Sequence, residues 1–114
     1  LVAVRLGDPA RSTATVFDKI DAAGHGFALR SQYTEKFLYF NGPNQPVGWA
    51  DTMSLRCVWT SFAVDDRTIG IQPLLDSDQN LNFAGGYNVG AQLCTWTWSG
   101  GKSNEIWQFP AAYL

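Results

Sequence analysis

Two stretches of this 114-residue chain repeat the same order of elements about forty residues apart. Each copy opens on a short alternating run, Gly26–Arg30 in one and Thr68–Pro73 in the other. An apolar run follows at Phe37–Phe40 and at Leu81–Phe83, and each copy then reaches a strand that carries a cysteine and tryptophan. A repeat of this period indicates copies of one supersecondary unit packed together. Two copies and an N-terminal remnant of residues 1–25 fill the chain.

The apolar residues come in short β-rich runs separated by Gly, Pro, Asn and Asp, and helical periodicity is nearly absent. Many short strands at this spacing are typical of an all-β sandwich or barrel-like fold. The stretch Thr15–Ala23 has apolar residues at helical spacing but no clear cap, so we interpret it as strand and turn. The predicted strands are Val2–Leu6, Thr13–Phe17, Gly26–Arg30, Phe37–Phe40, Ser54–Val64, Thr68–Pro73, Leu81–Phe83, Ala91–Trp98 and Ile106–Phe109.

The composition excludes several classes of protein. Hydrophobic residues make up 46% of the chain and charged residues 16%, which is the opposite of a disordered sequence. No apolar run approaches the eighteen or so residues that a membrane span needs. The net charge is −2 and the eight basic residues are scattered, so we expect no nucleic-acid partner.

Five tryptophans in so small a chain indicate that some indole faces lie at the surface. Trp49 stands between Gly48 and Ala50 in a stretch rich in Asn, Gln and Pro, where it has little to bury against. It is therefore a candidate platform for a ligand. The alternative, that its ring covers one end of the barrel, is left open by the sequence.

The last third of the chain carries a series of motifs in a fixed order. They are Leu81-Asn82-Phe83, Gly85-Gly86, Trp96, Trp98-Ser99-Gly100-Gly101 and Asn104-Glu105-Ile106-Trp107. This order resembles a ricin-B-type lectin repeat, which has a Leu-Asp-aliphatic strand, a Gly-rich turn, an aromatic strand, a Gly-Gly loop and a closing Gln-x-Trp. The resemblance implies an all-β fold, a β-trefoil of three lobes of about forty residues with a degenerate first lobe. It also implies one domain over residues 1–114 that binds carbohydrate.

The resemblance assigns roles to individual residues. Asn82, Asn104 and Glu105 fall on the positions that hydrogen-bond the sugar hydroxyls, and Trp96 falls on the position that stacks on the sugar ring. Asn82 stands where the family has Asp, which removes a charge, and Glu105 stands where it has Gln, which adds one. The closing Trp107 is expected in the core of its lobe, and Trp98 likewise.

The second copy departs further from the family pattern. Tyr39 stands at the acid position and Cys57-Val58-Trp59 at the closing position, so the resemblance implies a site lost in its family form. Whether Cys57 and Cys94 pair is left open, because two cysteines are too few to define a disulfide framework.

The sequence contains no complete motif for catalysis or for metal binding. The run Asp76–Asn80 begins like a calcium loop, but Leu81 and Tyr87 occupy the positions that require Gly and Glu, which favours an Asx turn. His25 is the single histidine, and no nucleophile elbow is present. We therefore expect no catalytic residues, no bound metal and no cofactor.

The sequence thus predicts a lectin-type protein that recognises glycans or glycoproteins by aromatic stacking and hydrogen bonds. One shallow sugar site binds at about millimolar strength, so we expect a homo-oligomer or a multi-chain assembly. The expected location is secreted or extracellular. Two alternatives remain open: a receptor-binding subunit of a toxin or enzyme complex, and a protease inhibitor that acts through the Asn41–Trp49 loop.

Overall fold

The protein is described from a computed structural model that covers residues 2–5, 16–32, 34–66, 68–83, 93–101 and 105–107. These residues form antiparallel strands and one short 3-10 turn, Leu55–Cys57, which confirms the all-β prediction. The strands are β1 (Val2–Arg5), β2 (Val16–Asp21), β3 (Phe27–Ser31), β4 (Phe37–Tyr39), β5 (Gly48–Ala50), β6 (Val58–Ala63), β7 (Ile69–Pro73), β8 (Gln79–Phe83) and β9 (Leu93–Thr97).

The strands divide into a barrel and two hairpins that lie against it. The barrel ladder runs β1-β2-β3-β6-β7, each strand antiparallel to its neighbour. The β4–β5 hairpin joins this ladder through the pair Arg30 and Phe37. The β8–β9 hairpin is the corresponding element later in the chain.

Three pairs of residues show that the sequence repeat is also a structural repeat. In each pair an aromatic residue lies opposite a residue near the start of a lobe: Phe17 opposite Val4, Trp59 opposite Phe27, and Trp107 opposite Ile69. The first lobe therefore consists of β1 and β2, the second of β3 to β6, and the third of β7 to β9 with Trp107. This arrangement confirms the three lobes predicted from the repeat.

The first lobe has fewer residues between its strands than the second lobe. Residues 6–15 connect β1 to β2, whereas residues 32–57 connect the equivalent strands β3 and β6 and include the β4–β5 hairpin. This difference in length explains why residues 1–25 match neither copy in sequence, because most of the recognisable motif lies between the two strands of a copy.

The closing tryptophans of the second and third lobes make the same buried hydrogen bond. The Nε1 of Trp59 donates to the carbonyl of Leu38 at 3.2 Å, and the Nε1 of Trp107 donates to the carbonyl of Leu81 at 2.9 Å. All four residues are buried. Each bond ties the hairpin of a lobe to its barrel strand, which confirms the structural role predicted for Trp107.

The core follows the same symmetry. Leu29 in β3 and Ile71 in β7 are fully buried at equivalent positions. Phe17, Phe27 and Phe40 complete the cluster with the two closing tryptophans and the two hairpin leucines. Burial of these large side chains is the main stabilising term of the fold.

Several strand predictions need correction. The structure adds β5, which the sequence did not indicate because Gly-Trp-Ala is too short to show an alternating pattern. The strand predicted at Thr13–Phe17 begins at Val16 and runs to Asp21, through the stretch with helical spacing. The strand predicted from Ser54 opens with the 3-10 turn, and of Ile106–Phe109 only Ile106 and Trp107 lie among the described residues.

The closing tryptophans provide a test of this fold. Replacing Trp107 with Phe removes the indole N–H from the Leu81 carbonyl and leaves a small cavity, so we expect a loss of about 1–3 kcal/mol in the free energy of unfolding. Urea denaturation followed by circular dichroism measures this loss. Trp96→Phe is the matched control, because Trp96 is exposed and should cost little. Equal losses in the two variants would contradict the structural role of Trp107.

Candidate functional site

One face of the β8–β9 hairpin gathers the polar and aromatic residues singled out in the last third of the chain. Asn80 lies opposite Trp96 and Asn82 lies opposite Cys94 in the strand register. Directly opposed residues, and residues two apart along a strand, point to the same side of a sheet. These four side chains therefore share one face, while Leu81 on the other face enters the core.

Trp96 is the exposed member of this face, with 50% of its surface accessible. It lies two residues along β9 from the partner of Asn82, a separation of about 7 Å. The structure thus brings Trp96 and Asn82 onto the same face, as the sugar-site hypothesis requires. An indole of this exposure beside amide groups can hold an apolar ring face and an edge of hydroxyls at the same time.

Asn82 is turned inward beneath this face. It is buried, and its Oδ1 accepts a hydrogen bond from the Sγ of Cys94 at 2.9 Å. The loss of the family's carboxylate is therefore accompanied by a buried thiol that uses the amide oxygen. This contact orients the Asn82 side chain and leaves its amide donors directed elsewhere.

Asn80 is a residue of this face that the sequence reasoning missed. Only 2% of its surface is accessible, and among the described residues its Oδ1 has no hydrogen-bond partner. A buried acceptor without a partner is costly and is often found at a functional site. The signal in the sequence was weak, because an Asn one residue before a Leu-Asn-Phe run looks like part of the preceding turn.

Glu105 holds the loop beside this face. Its carboxylate accepts the backbone N–H of Ser99, at 2.9 and 3.0 Å from the two oxygens, and that of Gly101 at 2.7 Å. Only 1% of the residue is accessible. The resemblance placed Glu105 at the polar edge of the site, whereas the structure turns its carboxylate toward residues 99–101. Asn104 lies outside the described residues.

Trp49 lies away from this face, on β5 opposite Leu38. Its ring stacks on Phe17 with centroids 5.8 Å apart and planes 9° from parallel, and 45% of the residue remains accessible. Phe17 is the closing aromatic of the first lobe and is fully buried. Trp49 therefore packs one face of its ring on a core residue and remains half exposed.

The Asn41–Trp49 loop is bound to the third lobe and does not protrude freely. The N–H of Val47 donates to the carbonyl of Leu93 at 3.2 Å, and the N–H of Thr95 donates to that of Gln45 at 3.0 Å. The loop thus covers the outer edge of β9 like a third strand. These contacts hold one side of the loop against the third lobe, while most of its residues remain exposed, and the inhibitor alternative stays a prediction.

Contacts between Asn44 and Gln79 fix the same loop near its tip. The N–H of Asn44 donates to Gln79 Oε1 at 2.8 Å, and Gln79 Nε2 donates to Asn44 Oδ1 at 3.1 Å. The hydroxyl of Thr95 donates to the carbonyl of Gly42 at 3.1 Å. The Asn41–Trp49 loop of the second lobe therefore packs against the β8–β9 hairpin on the side opposite Trp96.

A cavity of about 510 Å³ lies elsewhere, between the β2–β3 turn and β6. Its walls include Lys19, Asp21, Phe27, Thr60 and Ser61. The Nζ of Lys19 lies over the Phe27 ring, 4.9 Å from its centroid. Because Lys19 covers the one aromatic ring among the described wall residues, Trp96 marks the better candidate for a stacking site.

Acidic residues in two turns accept hydrogen bonds from backbone N–H groups two or three residues further along the chain. The N–H of Asp78 donates to Asp76 Oδ1 at 3.1 Å, which confirms the Asx turn predicted in place of a calcium loop. The N–H of Thr68 donates to Asp65 Oδ1 at 3.0 Å in the same manner. Within the described ranges, no three His, Cys, Asp or Glu side chains cluster in a way that would hold a metal ion.

The two cysteines, Cys57 and Cys94, are both buried free thiols. Burial raises the pKa of the Cys94 thiol, because the charged thiolate is disfavoured away from water. The thiol therefore stays neutral and donates to Asn82.

The loop contacts of Glu105 lead to a prediction. Glu105→Ala leaves the N–H groups of Ser99 and Gly101 without their acceptor, and we expect a loss of about 1–3 kcal/mol in the free energy of unfolding. Hydrogen exchange at these two amides should speed up in the same variant. Glu105→Gln is the matched control with a smaller effect, since its remaining oxygen still accepts from Gly101. Unchanged exchange at both amides in Glu105→Ala would refute the positioning role.

The buried Cys94 thiol leads to a second prediction. In the unfolded chain the thiol ionises at its ordinary pKa, whereas folding raises that pKa. The stabilising contribution of the neutral thiol is therefore complete below the ordinary pKa and is lost as pH rises above it. Urea denaturation across this range should show stability falling less steeply with pH in Cys94→Ala than in the parent protein. Parallel pH profiles would contradict the prediction.

Comparisons with known proteins bear on the fold. No protein-family model matches the chain, and no curated protein matches its sequence. Among solved structures, a designed 3-fold symmetric protein, ThreeFoil, aligns with a TM-score of 0.74 and 15% identity over 94% of this chain and 79% of its own. The C-half of an earthworm R-type lectin, solved in complex with GalNAc, aligns with a TM-score of 0.57 and 17% identity over 93% of this chain and 75% of its own. With the three lobes described above, these alignments establish that the chain folds as a β-trefoil.

Proposed function

We propose that this protein is a lectin-type carbohydrate-binding protein without catalytic activity, and that its sugar site lies on the β8–β9 hairpin. The single observation that carries the proposal is the half-exposed Trp96, which shares one hairpin face with the buried amides of Asn80 and Asn82. A pyranose ring presents apolar C–H groups on one face and hydroxyls at its edge, and this face offers a partner for each.

The proposed roles follow the geometry. Trp96 stacks on the ring. Asn80 contributes the amide oxygen that the protein leaves unpaired, so a sugar hydroxyl that reaches it after a small side-chain shift would supply the missing hydrogen bond. Asn82, held by Cys94, supports this face from beneath, and Asn104 is proposed for the polar edge from the family resemblance alone. Glu105 acts through the Ser99–Gly101 loop that it orders.

The likeness to an R-type lectin in complex with GalNAc supports the choice of ligand class, at the level of fold. We propose glycans or glycoproteins as partners and an extracellular setting in which they are met. No helix in the described part of the chain has the length and hydrophobicity to span a membrane. Because one shallow site binds at about millimolar strength, useful avidity would require assembly into a homo-oligomer or a multi-chain complex.

The test is a substitution of the proposed platform. Trp96→Ala should abolish binding to a glycan array, because it removes the stacking surface while leaving the core unchanged. Titration with the best array ligand should show at least a tenfold weaker Kd, and Trp96→Phe should retain part of the affinity because a smaller ring remains.

The matched control is Trp49→Ala, which removes the other half-exposed indole. It should lower stability through the lost stacking on Phe17 and leave sugar affinity unchanged. Sugar affinity that survives Trp96→Ala and fails in Trp49→Ala would move the site to the barrel end. Inhibition of a protease by this protein that added sugar does not reduce would favour the inhibitor alternative.

A further inference from the structure

The Asn41–Trp49 loop begins with a dipeptide that is chemically labile. Asn41 precedes Gly42, and none of the other five asparagines of the chain is followed by glycine. The backbone nitrogen of the following residue can attack an asparagine carboxamide and close a cyclic imide. Glycine permits this attack best, because it has no side chain to hinder the approach and its backbone is the least restricted of all residues. Deamidation is therefore expected first at this pair.

The attacking nitrogen makes no hydrogen bond. Within the described ranges the N–H of Gly42 donates to no other residue, whereas the carbonyl of Gly42 accepts the hydroxyl of Thr95 at 3.1 Å. Asn41 beside it is exposed, so water reaches the carboxamide. The nitrogen can therefore lose its proton without first breaking a contact inside the protein.

The Asn41 side chain is held by the far part of the same loop. Its Nδ2 donates to the carbonyl of Pro46 at 3.1 Å. Its carboxamide also packs on Gly48, where an added Cβ would lie 3.0 Å from Nδ2 and 3.1 Å from Oδ1. These two contacts keep the carboxamide in one orientation. The rate of attack by Gly42 therefore depends on how often the loop opens locally.

We propose that Asn41 is a site of spontaneous deamidation, at which the chain modifies itself and so alters the loop. The Gly42 nitrogen bonds to the Cγ of Asn41 as the Cγ–Nδ2 bond breaks, and Nδ2 leaves as ammonia with the proton that Gly42 gives up. Water then adds to either carbonyl of the cyclic imide and opens it. The products are aspartate, or isoaspartate in which the backbone continues through the former side chain. Water is the only co-reactant, and nothing is oxidised or reduced.

Either product removes the hydrogen bond that Asn41 makes across the loop. A carboxylate cannot donate to the carbonyl of Pro46, and its charge would face that oxygen. Isoaspartate also lengthens the backbone before Gly42, whose carbonyl accepts from Thr95. The modification therefore loosens a loop that is bound to the third lobe. The inference is independent of the proposed sugar site, because the reaction needs no ligand.

The experiment incubates the full chain at mildly alkaline pH and follows Asn41 by mass spectrometry. Trypsin, applied at mildly acidic pH, cleaves after Lys36 and Arg56 and releases one peptide with Asn41 and Asn44. Fragmentation of this peptide locates the exchange of an NH₂ group for OH. Asn44 is the internal control, since it is exposed in the same loop but is followed by Gln45. A parallel sample unfolded in urea gives the rate without the loop contacts.

We expect Asn41 to deamidate about tenfold or more faster than Asn44 in the folded chain. The rate should rise with pH, because the step begins with loss of the Gly42 proton, and it should be higher still in the unfolded sample. Gly48→Ala should raise the rate severalfold in the folded chain, because the added methyl group displaces the carboxamide. Thermal melting followed by circular dichroism checks that this variant folds.

The effect on the loop is measured in a separate variant. Asn41→Asp reproduces the aspartate product in every molecule. The N–H of Val47 donates to the carbonyl of Leu93 in the third lobe. Hydrogen exchange at the Val47 amide should therefore be severalfold faster in Asn41→Asp than in the parent protein.

Three results would overturn the inference. One is an absence of conversion of Asn41 in the folded chain, and another is conversion of Asn44 at an equal rate. The third is unchanged exchange of the Val47 amide in Asn41→Asp. A rate in folded Gly48→Ala no higher than in the parent would contradict control by the side-chain contacts. If Gly48→Ala does not fold, equal rates in the folded and the urea-unfolded parent would contradict that control instead.

Discussion

The fold depends on one buried contact made twice, an indole N–H donated to a leucine carbonyl. In the second lobe it joins Trp59 to Leu38, and in the third it joins Trp107 to Leu81. Inside the core this donor would be costly without a partner, so each tryptophan orients the hairpin that supplies the carbonyl. The third-lobe hairpin carries the proposed sugar site. Its face is therefore positioned by a buried hydrogen bond on the core side of the hairpin.

The first lobe manages without that contact. Phe17 has no side-chain N–H to satisfy, and residues 6–15 join its two strands, compared with residues 32–57 in the second lobe. Trp49 from the second lobe stacks on Phe17. The three lobes are thus alike where the barrel needs a large aromatic ring and differ in the length of chain between their strands. The stacking on Phe17 gives Trp49 a structural role.

The two hairpins show how one backbone can present different chemistry. In the third lobe an exposed indole lies over buried amides, a surface suited to a neutral sugar ring. In the second lobe, small residues replace the indole, and an arginine held against Tyr39 adds a positive charge. The sequence predicts that the second site is lost in its family form, because Tyr39 stands at the family's acid position. In the structure the Arg56 guanidinium lies over the Tyr39 ring.

The sequence by itself determined the all-β class, the period of the repeat and the core position of Trp107. These follow from local properties, since strand and turn preferences and the spacing of apolar residues need no knowledge of distant contacts. The order of motifs also proposed Trp96 as the stacking residue, which stays a prediction. Its position on one face with Asn82 is shown by the antiparallel register.

Only the tertiary structure decided which polar side chains face outward. The sequence predicts Glu105 and Asn82 as ligand groups, yet both are buried. The carboxylate of Glu105 accepts the backbone N–H groups of Ser99 and Gly101, and the Oδ1 of Asn82 accepts from the Cys94 thiol. The sequence did not predict the contact of Arg56 with the carbonyl of Phe40, because the two residues lie sixteen positions apart. Hydrogen bonds between different segments of the chain set the orientations of these side chains. Such contacts cannot be predicted from the spacing of residues along the sequence.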